Sequence, residues 1–171
     1  RQMCIRDRPG GGGYSATMHL TRFTDYGLRT LVYLAMRPDR LAQISDIAAA
    51  YRVSENHMTK VVHRLGQAGL IETLRGRQGG LRLAHPPAQI RIGDVVRKLE
   101  PDFALVECQG DGSCAIRGAC RLESVLDEAL AAMLAVLDRY TLADVIAGNM
   151  AALRRRLGLA LPDGGMPGRM T

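Results

Sequence analysis

A mainly α fold with a small β hairpin is predicted by three features of the sequence. Two short helical patterns, ISDIAAAY and ENHMTKVVHRLGQ, are separated by only a few residues around Arg52-Val53. Two strand-like runs, IETL and LRLA, flank a glycine-rich basic segment, RGRQGG. Farther on, Leu122, Leu126, Ala129, Met133, Val136 and Tyr140 recur at alternating spacings of four and three. That period of roughly 3.5 residues is a helix seam of the kind that pairs with a twin. Together these features describe a winged helix-turn-helix domain plus a long dimerisation helix.

Residues 1–17 have no apolar period and include a run of glycines, so a non-native or disordered leader is expected, with organised sequence from Met18. In the first helical pattern, residues 20–36, Leu20, Phe23, Gly27, Leu31, Leu34 and Ala35 share one face, and Pro38 ends it. Ser45 is expected to cap the next helix and Ser54 the one after, whose Met58, Val61, Val62 and Leu65 face inward before Gly69 closes it. Pro86-Pro87 marks the end of a DNA-binding domain over 18–87. Residues 88–121 hold a short amphipathic helix, RIGDVVRKLE, stopped by Pro101, and then a glycine-rich cysteine segment. Residues 122–158 form the dimerisation helix and, after Thr141, a further helical stretch. Residues 159–171, rich in Pro and Gly, read as a disordered tail.

With 47% hydrophobic residues the chain can bury a core. Only 4% are aromatic and there is no Trp, which argues against stacking on single-stranded bases. The net charge of +6, part of it from Arg1, Arg6 and Arg8 of the leader, fits a polyanionic partner. No run approaches the ~20 apolar residues of a membrane span, so a cytoplasmic protein is expected. Neither a phosphate-binding loop nor a paired-carboxylate constellation stands out, and an enzyme is not expected.

On the second helix of the helix-turn-helix, Ser54, Asn56, His57 and Lys60 occupy the first turns, where a recognition helix meets base edges and phosphates of double-stranded DNA. Arg75, Arg77, Gln78 and Arg82 of the wing suit phosphate or minor-groove contact.

The cysteines of the organised chain, Cys108, Cys114 and Cys120, follow a C-x5-C-x5-C spacing. Their odd number argues against a disulfide framework. Thiolates suit iron–sulfur clusters, zinc or copper(I). Structural zinc more often uses C-x2-C knuckles, whereas this wider spacing, with Gly110, Gly112 and Gly118 between, lets a loop wrap a larger object. A fourth ligand must come from elsewhere, and Asp25, Glu107, Asp111, Glu123 and solvent are equal candidates. Asp25 also has an ordinary reading, as a first-turn carboxylate paired with Arg29 four residues on. His63 and His85 are not placed like ligands, and His19, near the start of the organised chain, reads as solvated or in reach of DNA.

The segments LTRFTDYGLRTL, SENHMTKVVHRL, RGRQGGLRLA and IRIGDVVRKLEP, with the cysteine spacing and DRYTLADV behind them, resemble the NsrR family of nitric-oxide-sensing repressors. That family lies within a winged-helix superfamily that also contains the iron–sulfur regulator IscR. The resemblance runs from about Met18 to Ile146. It implies a homodimer on a palindromic operator, with an iron–sulfur cluster in each subunit, [4Fe–4S] favoured over [2Fe–2S], and nitric oxide as the signal that releases DNA. It implies Cys108, Cys114 and Cys120 as ligands, Asp25 as the fourth ligand to the other subunit's cluster, and Arg29 nearby. IscR carries a histidine ligand three residues after its last cysteine; here that position is Glu123, which counts against the IscR type. An iron–sulfur status regulator of the IscR type and a zinc-stabilised winged-helix regulator are the alternatives.

Overall fold

The computed structural model describes residues 20–76, 79–106, 109, 116 and 119–159. The expected leader and residues 160–171 of the expected tail lie outside them. Helix α1 (Arg22–Ala35) starts where the Thr21 hydroxyl accepts the Thr24 N–H, an N-cap. It buries Thr24, Gly27, Thr30, Leu31 and Leu34, a stripe with helical spacing. Leu20, expected on this face, precedes the helix and is half-buried. At Gly27 a Cβ would collide with the Leu99 side chain, so glycine permits the close approach of the next-but-two helix, α4 (Ile92–Leu99).

Helix α2 (Ile44–Tyr51) is capped by Gln43 rather than Ser45. Ala42 is still bridged to Leu81, and the chain turns helical directly after it; the Gln43 N–H then donates to the Asp46 carboxylate three residues on, at 3.3 Å. Arg52 ends α2 in the left-handed region (φ 55°), and the Val53 N–H returns to the Ala48 carbonyl at 2.9 Å. Helix α3 (Glu55–Gln67) is capped by Ser54 and buries Met58, Val61, Val62 and Leu65, as the periodicity predicts. Strands β1 (Ile71–Leu74) and β2 (Gly80–Leu83) pair antiparallel with Ile71 opposite Leu83, β2 lying one residue earlier than LRLA. The Ala42–Leu81 bridge adds a rung on the free edge of β2, which ties the wing to the start of α2.

After α4 come α5 (Leu122–Leu137), α6 (Leu142–Ile146) and α7 (Met150–Arg156). The stretch after Thr141 was expected to be continuous. It is two helices, because the chain turns at Ala147–Asn149 with Gly148 at φ +75°. Helix α6 has only five residues, too few to persist alone. It is held by a Thr141–Asp144 capping box and by Leu142 and Ile146, both buried, each stabilising by about 2 kcal/mol. One core results, in which Val95 and Leu99 of α4 and both α6 anchors join the helix-turn-helix residues across the diproline.

Helix α5 stands apart from that core. None of its sixteen residues is buried. Its C-terminal end is fastened to α4: the Arg97 guanidinium forks onto the Asp138 carboxylate with both distances 2.6 Å, and the Arg91 side chain donates to the Asp138 carbonyl; nearer its start, the Asp127 carboxylate accepts from the Gln109 side-chain amide at 2.8 Å. The Arg97 hydrogen bond holds the Asp138 carboxyl below the usual carboxylate range. Backbone bonds from Ile92 to Tyr140 and from Leu142 to Ile90 complete the joint.

Candidate nucleic-acid interface and metal centre

The exposed side of α3 carries Asn56, His57 and Lys60, preceded by exposed Ser54, whose hydroxyl accepts the His57 N–H at 3.4 Å. The buried side locks onto α1, α2 and β1. The helix therefore presents its first turns outward from a fixed support, the arrangement major-groove reading requires. Thr59 and His63 share this exposed side, although sequence reading did not assign them to DNA; their spacing from Asn56, at i+3 and i+7, was the available signal. His57 is not wholly given over to solvent, because its ring meets the edge of Tyr26 with centroids 5.7 Å apart.

In the wing, Arg75 is exposed. Arg77 and Gln78 lie outside the described residues. Arg82 is exposed on β2 and forms an ion pair with Glu72, its cross-strand neighbour, at 2.7 Å. Gln43, missed in the sequence reading, holds the wing's base through a 2.6 Å bond from its side-chain amide to the Gly79 carbonyl. The α3 C-terminus is gripped from α4: Lys98 donates to the Ala68 carbonyl and Arg64 to the Lys98 carbonyl, each at 3.1 Å. A cation at that end also suits the helix dipole.

Of the three cysteines expected as ligands, Cys108 and Cys114 lie outside the described residues. Cys120 is described: it is half-buried, sits just before α5, and its sulfur accepts the Leu122 N–H at 3.4 Å. Asp25 is 42% exposed and clamped by Arg29, with Nε and Nη2 each 2.8 Å from a different carboxylate oxygen. A carboxylate has about four lone-pair sites, so the fork leaves acceptor capacity facing solvent. Arg29 is itself fixed, lying 5.9 Å from the ring centroids of both Tyr26 and Tyr51. The Tyr51 hydroxyl donates to the Arg29 carbonyl at 2.9 Å, and burial pushes its pKa up to about 12. Among the described residues, which do not include Cys108 and Cys114, no group of three His, Cys, Asp or Glu side chains could hold an ion.

Glu100, at the end of α4, is a residue that sequence reading missed. Its carboxylate accepts from the Thr21 N–H at 3.2 Å, the Thr21 hydroxyl at 3.1 Å and the fully buried Thr24 hydroxyl. The partners lie 76 to 79 residues away, so no local signal exists. One carboxylate thus ties the start of α1, next to Asp25, to the point where the cysteine segment begins. Glu100→Ala leaves a buried hydroxyl without its acceptor and is expected to cost about 2 kcal/mol in urea unfolding. An unchanged midpoint would mean that the Thr24 hydroxyl finds another acceptor.

Among the described residues no helix is long and apolar enough to cross a membrane. A family model described as Rrf2, an iron-dependent transcriptional regulator, matches residues 20–148. The NsrR regulator of Bacillus subtilis is 53% identical over 132 residues, 75% of this chain and 90% of the relative. That of Shouchella clausii is 51% identical over 132 residues, 75% of this chain and 89% of the relative. Among solved structures, T. potens IscR matches with a TM-score of 0.63 and 26% identity, over 80% of this chain and 92% of that one. CymR, the global cysteine regulator of B. subtilis, matches with a TM-score of 0.57 and 29% identity, over 75% of this chain and 96% of that one. The relatives are named as transcriptional regulators, not enzymes, and the mainly helical fold with its two-stranded wing is shared with them. The chain belongs to the Rrf2 family of transcriptional regulators, and within it to the NsrR group.

Proposed function

We propose that this regulator is a homodimeric repressor of palindromic operators that senses nitric oxide through an iron–sulfur cluster, [4Fe–4S] in preference to [2Fe–2S], and releases DNA when the cluster is lost. The observation that carries the reading is the contact between Tyr26 and His57. It puts the α1 turn bearing Asp25 and Arg29 directly against the first turn of the reading helix.

The donor set fits such a group: three thiols within thirteen residues of sequence, Cys120 among them receiving an N–H, and a carboxylate on another element with acceptor capacity open to solvent. Cys108, Cys114 and Cys120 would hold the cluster of their own subunit, and Asp25 would reach the cluster of the other with Arg29 beside it. A cluster bound there supplies iron that nitric oxide attacks. A carboxylate is a harder and more weakly held ligand than thiolate, so Asp25 would be the weakest of the donors holding such a group. Without that bond Asp25 would keep only Arg29, and α1 would not be fastened to the other subunit. Tyr26 and Glu100 then pass that freedom to α3 and to the base of the cysteine segment. The two reading helices lose their fixed spacing of about one DNA turn, ~34 Å.

The test is anaerobic purification, an absorbance spectrum, and titration with nitric oxide while operator binding is followed. A broad iron–sulfur band that bleaches in step with loss of binding is expected. Bleaching that leaves operator affinity unchanged would remove nitric oxide as the signal, and a colourless, zinc-loaded protein would overturn the cluster itself.

A further inference from the structure

Between the last turn of α1, the outer side of α2 and the end of α7 lies a cavity of about 690 Å3, whose walls include Arg37, Arg40, Asp46, Arg154, Leu157 and Leu159. Arg154 reaches across it to donate to the Met36 carbonyl at the α1 C-cap, which brings the end of α7 against the α1–α2 turn. Arg155 and Arg156 are exposed on that end, and Arg40 is exposed on the turn. Arg37, Arg40 and Arg154, from two distant segments, thus line the cavity, with Asp39 and Asp46 as its acidic residues, and the exposed Arg155 and Arg156 follow Arg154 on the adjoining end of α7. Asp46 is already occupied by the Gln43 N–H and, at 3.8 Å, by Arg37.

The position of this face matters more than its charge. Gln43 holds Gly79 at the base of the wing, and a smaller groove there is lined by Gln43, Ile44, Gly76 and Gly79. One helical turn further along α2, Asp46 lines the arginine cavity. The start of α2 thus lies between the wing on one side and the arginines on the other. In a helix-turn-helix the first of the two helices crosses the phosphate backbone. A cationic strip that continues past its start, away from the wing, follows the same backbone outward.

We infer that Arg40, Arg155 and Arg156 form a second DNA-backbone contact, which engages phosphates flanking the sequence read by α3 and the wing. The inference rests on the DNA-binding reading above and adds to it a longer footprint. Phosphate contacts of this kind carry no sequence information, but they add affinity and steepen its dependence on salt.

The experiment compares the intact protein with a variant carrying Arg40→Ala, Arg155→Ala and Arg156→Ala, all exposed positions. Arg154 is left in place because it caps α1. A core duplex is selected from random sequence with the intact protein, and a second duplex extends it by ten or so base pairs on each side. Failure to select any sequence counts against the DNA-binding reading itself, not against this one. The variant is expected to keep its affinity for the core duplex and to lose roughly tenfold on the extended one at moderate salt, with a log–log salt slope shallower by about one per lost contact. Equal affinities and slopes for the two proteins on the extended duplex would overturn the inference. So would an equal loss on both duplexes, which would place the arginines at the core site or in the fold.

Discussion

Replacing Cys120 with alanine is expected to leave a folded dimer that still binds DNA but no longer distinguishes its operator. The Cys120 sulfur is where the cysteine segment joins α5, and it receives the Leu122 N–H. Among the described residues the core draws none from the cysteine segment, so thermal stability should stay near that of the parent with its cluster removed. What the substitution removes is one of the three thiols proposed to hold the cluster. Without a bound cluster, Asp25 has only Arg29, and the spacing of the two reading helices is no longer fixed. Coupling energies of this kind are typically about 1–3 kcal/mol, so operator affinity should fall by roughly tenfold to a hundredfold. Binding to unrelated DNA, which rests on basic residues such as Lys60 and Arg75, should persist and remain steeply salt-dependent. Fluorescence anisotropy on operator and scrambled duplexes at two salt concentrations reads both quantities. Cys114→Ala should behave in the same way. A cluster-free variant of either kind with unchanged operator affinity would break the link between cluster and DNA.

The reading head was legible in the sequence because its elements are local. Ser54 caps α3, Met58, Val61, Val62 and Leu65 face inward, and Gly69 (φ +70°) follows the helix, all within sixteen residues of chain. Ser45 misled because a serine before an apolar run is a good cap by type. The actual start was set from outside the segment, by the pairing of Ala42 with Leu81. The Arg82–Glu72 pair was hidden for the same kind of reason, since only the hairpin register places Glu72 opposite Arg82. The break at Gly148 was visible as a glycine inside a helical pattern, but propensity alone does not decide whether such a residue is tolerated.

The candidate metal centre was less legible from residues alone. Soft-ligand chemistry and spacing single out the cysteines, but nothing in periodicity favours Asp25 over other carboxylates. The structure sharpens its surroundings without closing the question within one chain: Asp25 is clamped by Arg29, Arg29 lies against two tyrosines, and one of these touches His57. Glu100 and Tyr26 matter only because tertiary contacts place them, one across more than seventy residues and the other against α3. The residues that would carry a signal are thus the ones a linear reading is least able to find.

Charging the seam of α5 is expected to have the largest effect of all, through the oligomeric state. In a single chain Leu122, Val125 and Val136 are 50%, 57% and 43% exposed, and no α5 residue belongs to the core or packs against it. A sixteen-residue helix with that much apolar surface left in water is unfavourable unless a second copy covers it, at about 25 cal/mol per Å2. Two copies related by a twofold axis would bury the same seam on each other. Leu126→Asp with Met133→Asp would put carboxylates at two layers of that seam one heptad apart, on either side of Ala129, where no cation of the twin is available in the heptad pattern. Sedimentation should then show a monomer. Operator affinity should drop by two orders of magnitude or more, since each half-site would be bound without the other. The helix-turn-helix should nevertheless stay folded, because its core is complete without α5, and its helical circular dichroism should decline only by the contribution of α5. Unfolding of the whole chain would show that the monomer depends on its twin for more than alignment. A dimer that survives both substitutions would move the interface off this seam, and with it the route by which Asp25 is proposed to reach the other subunit.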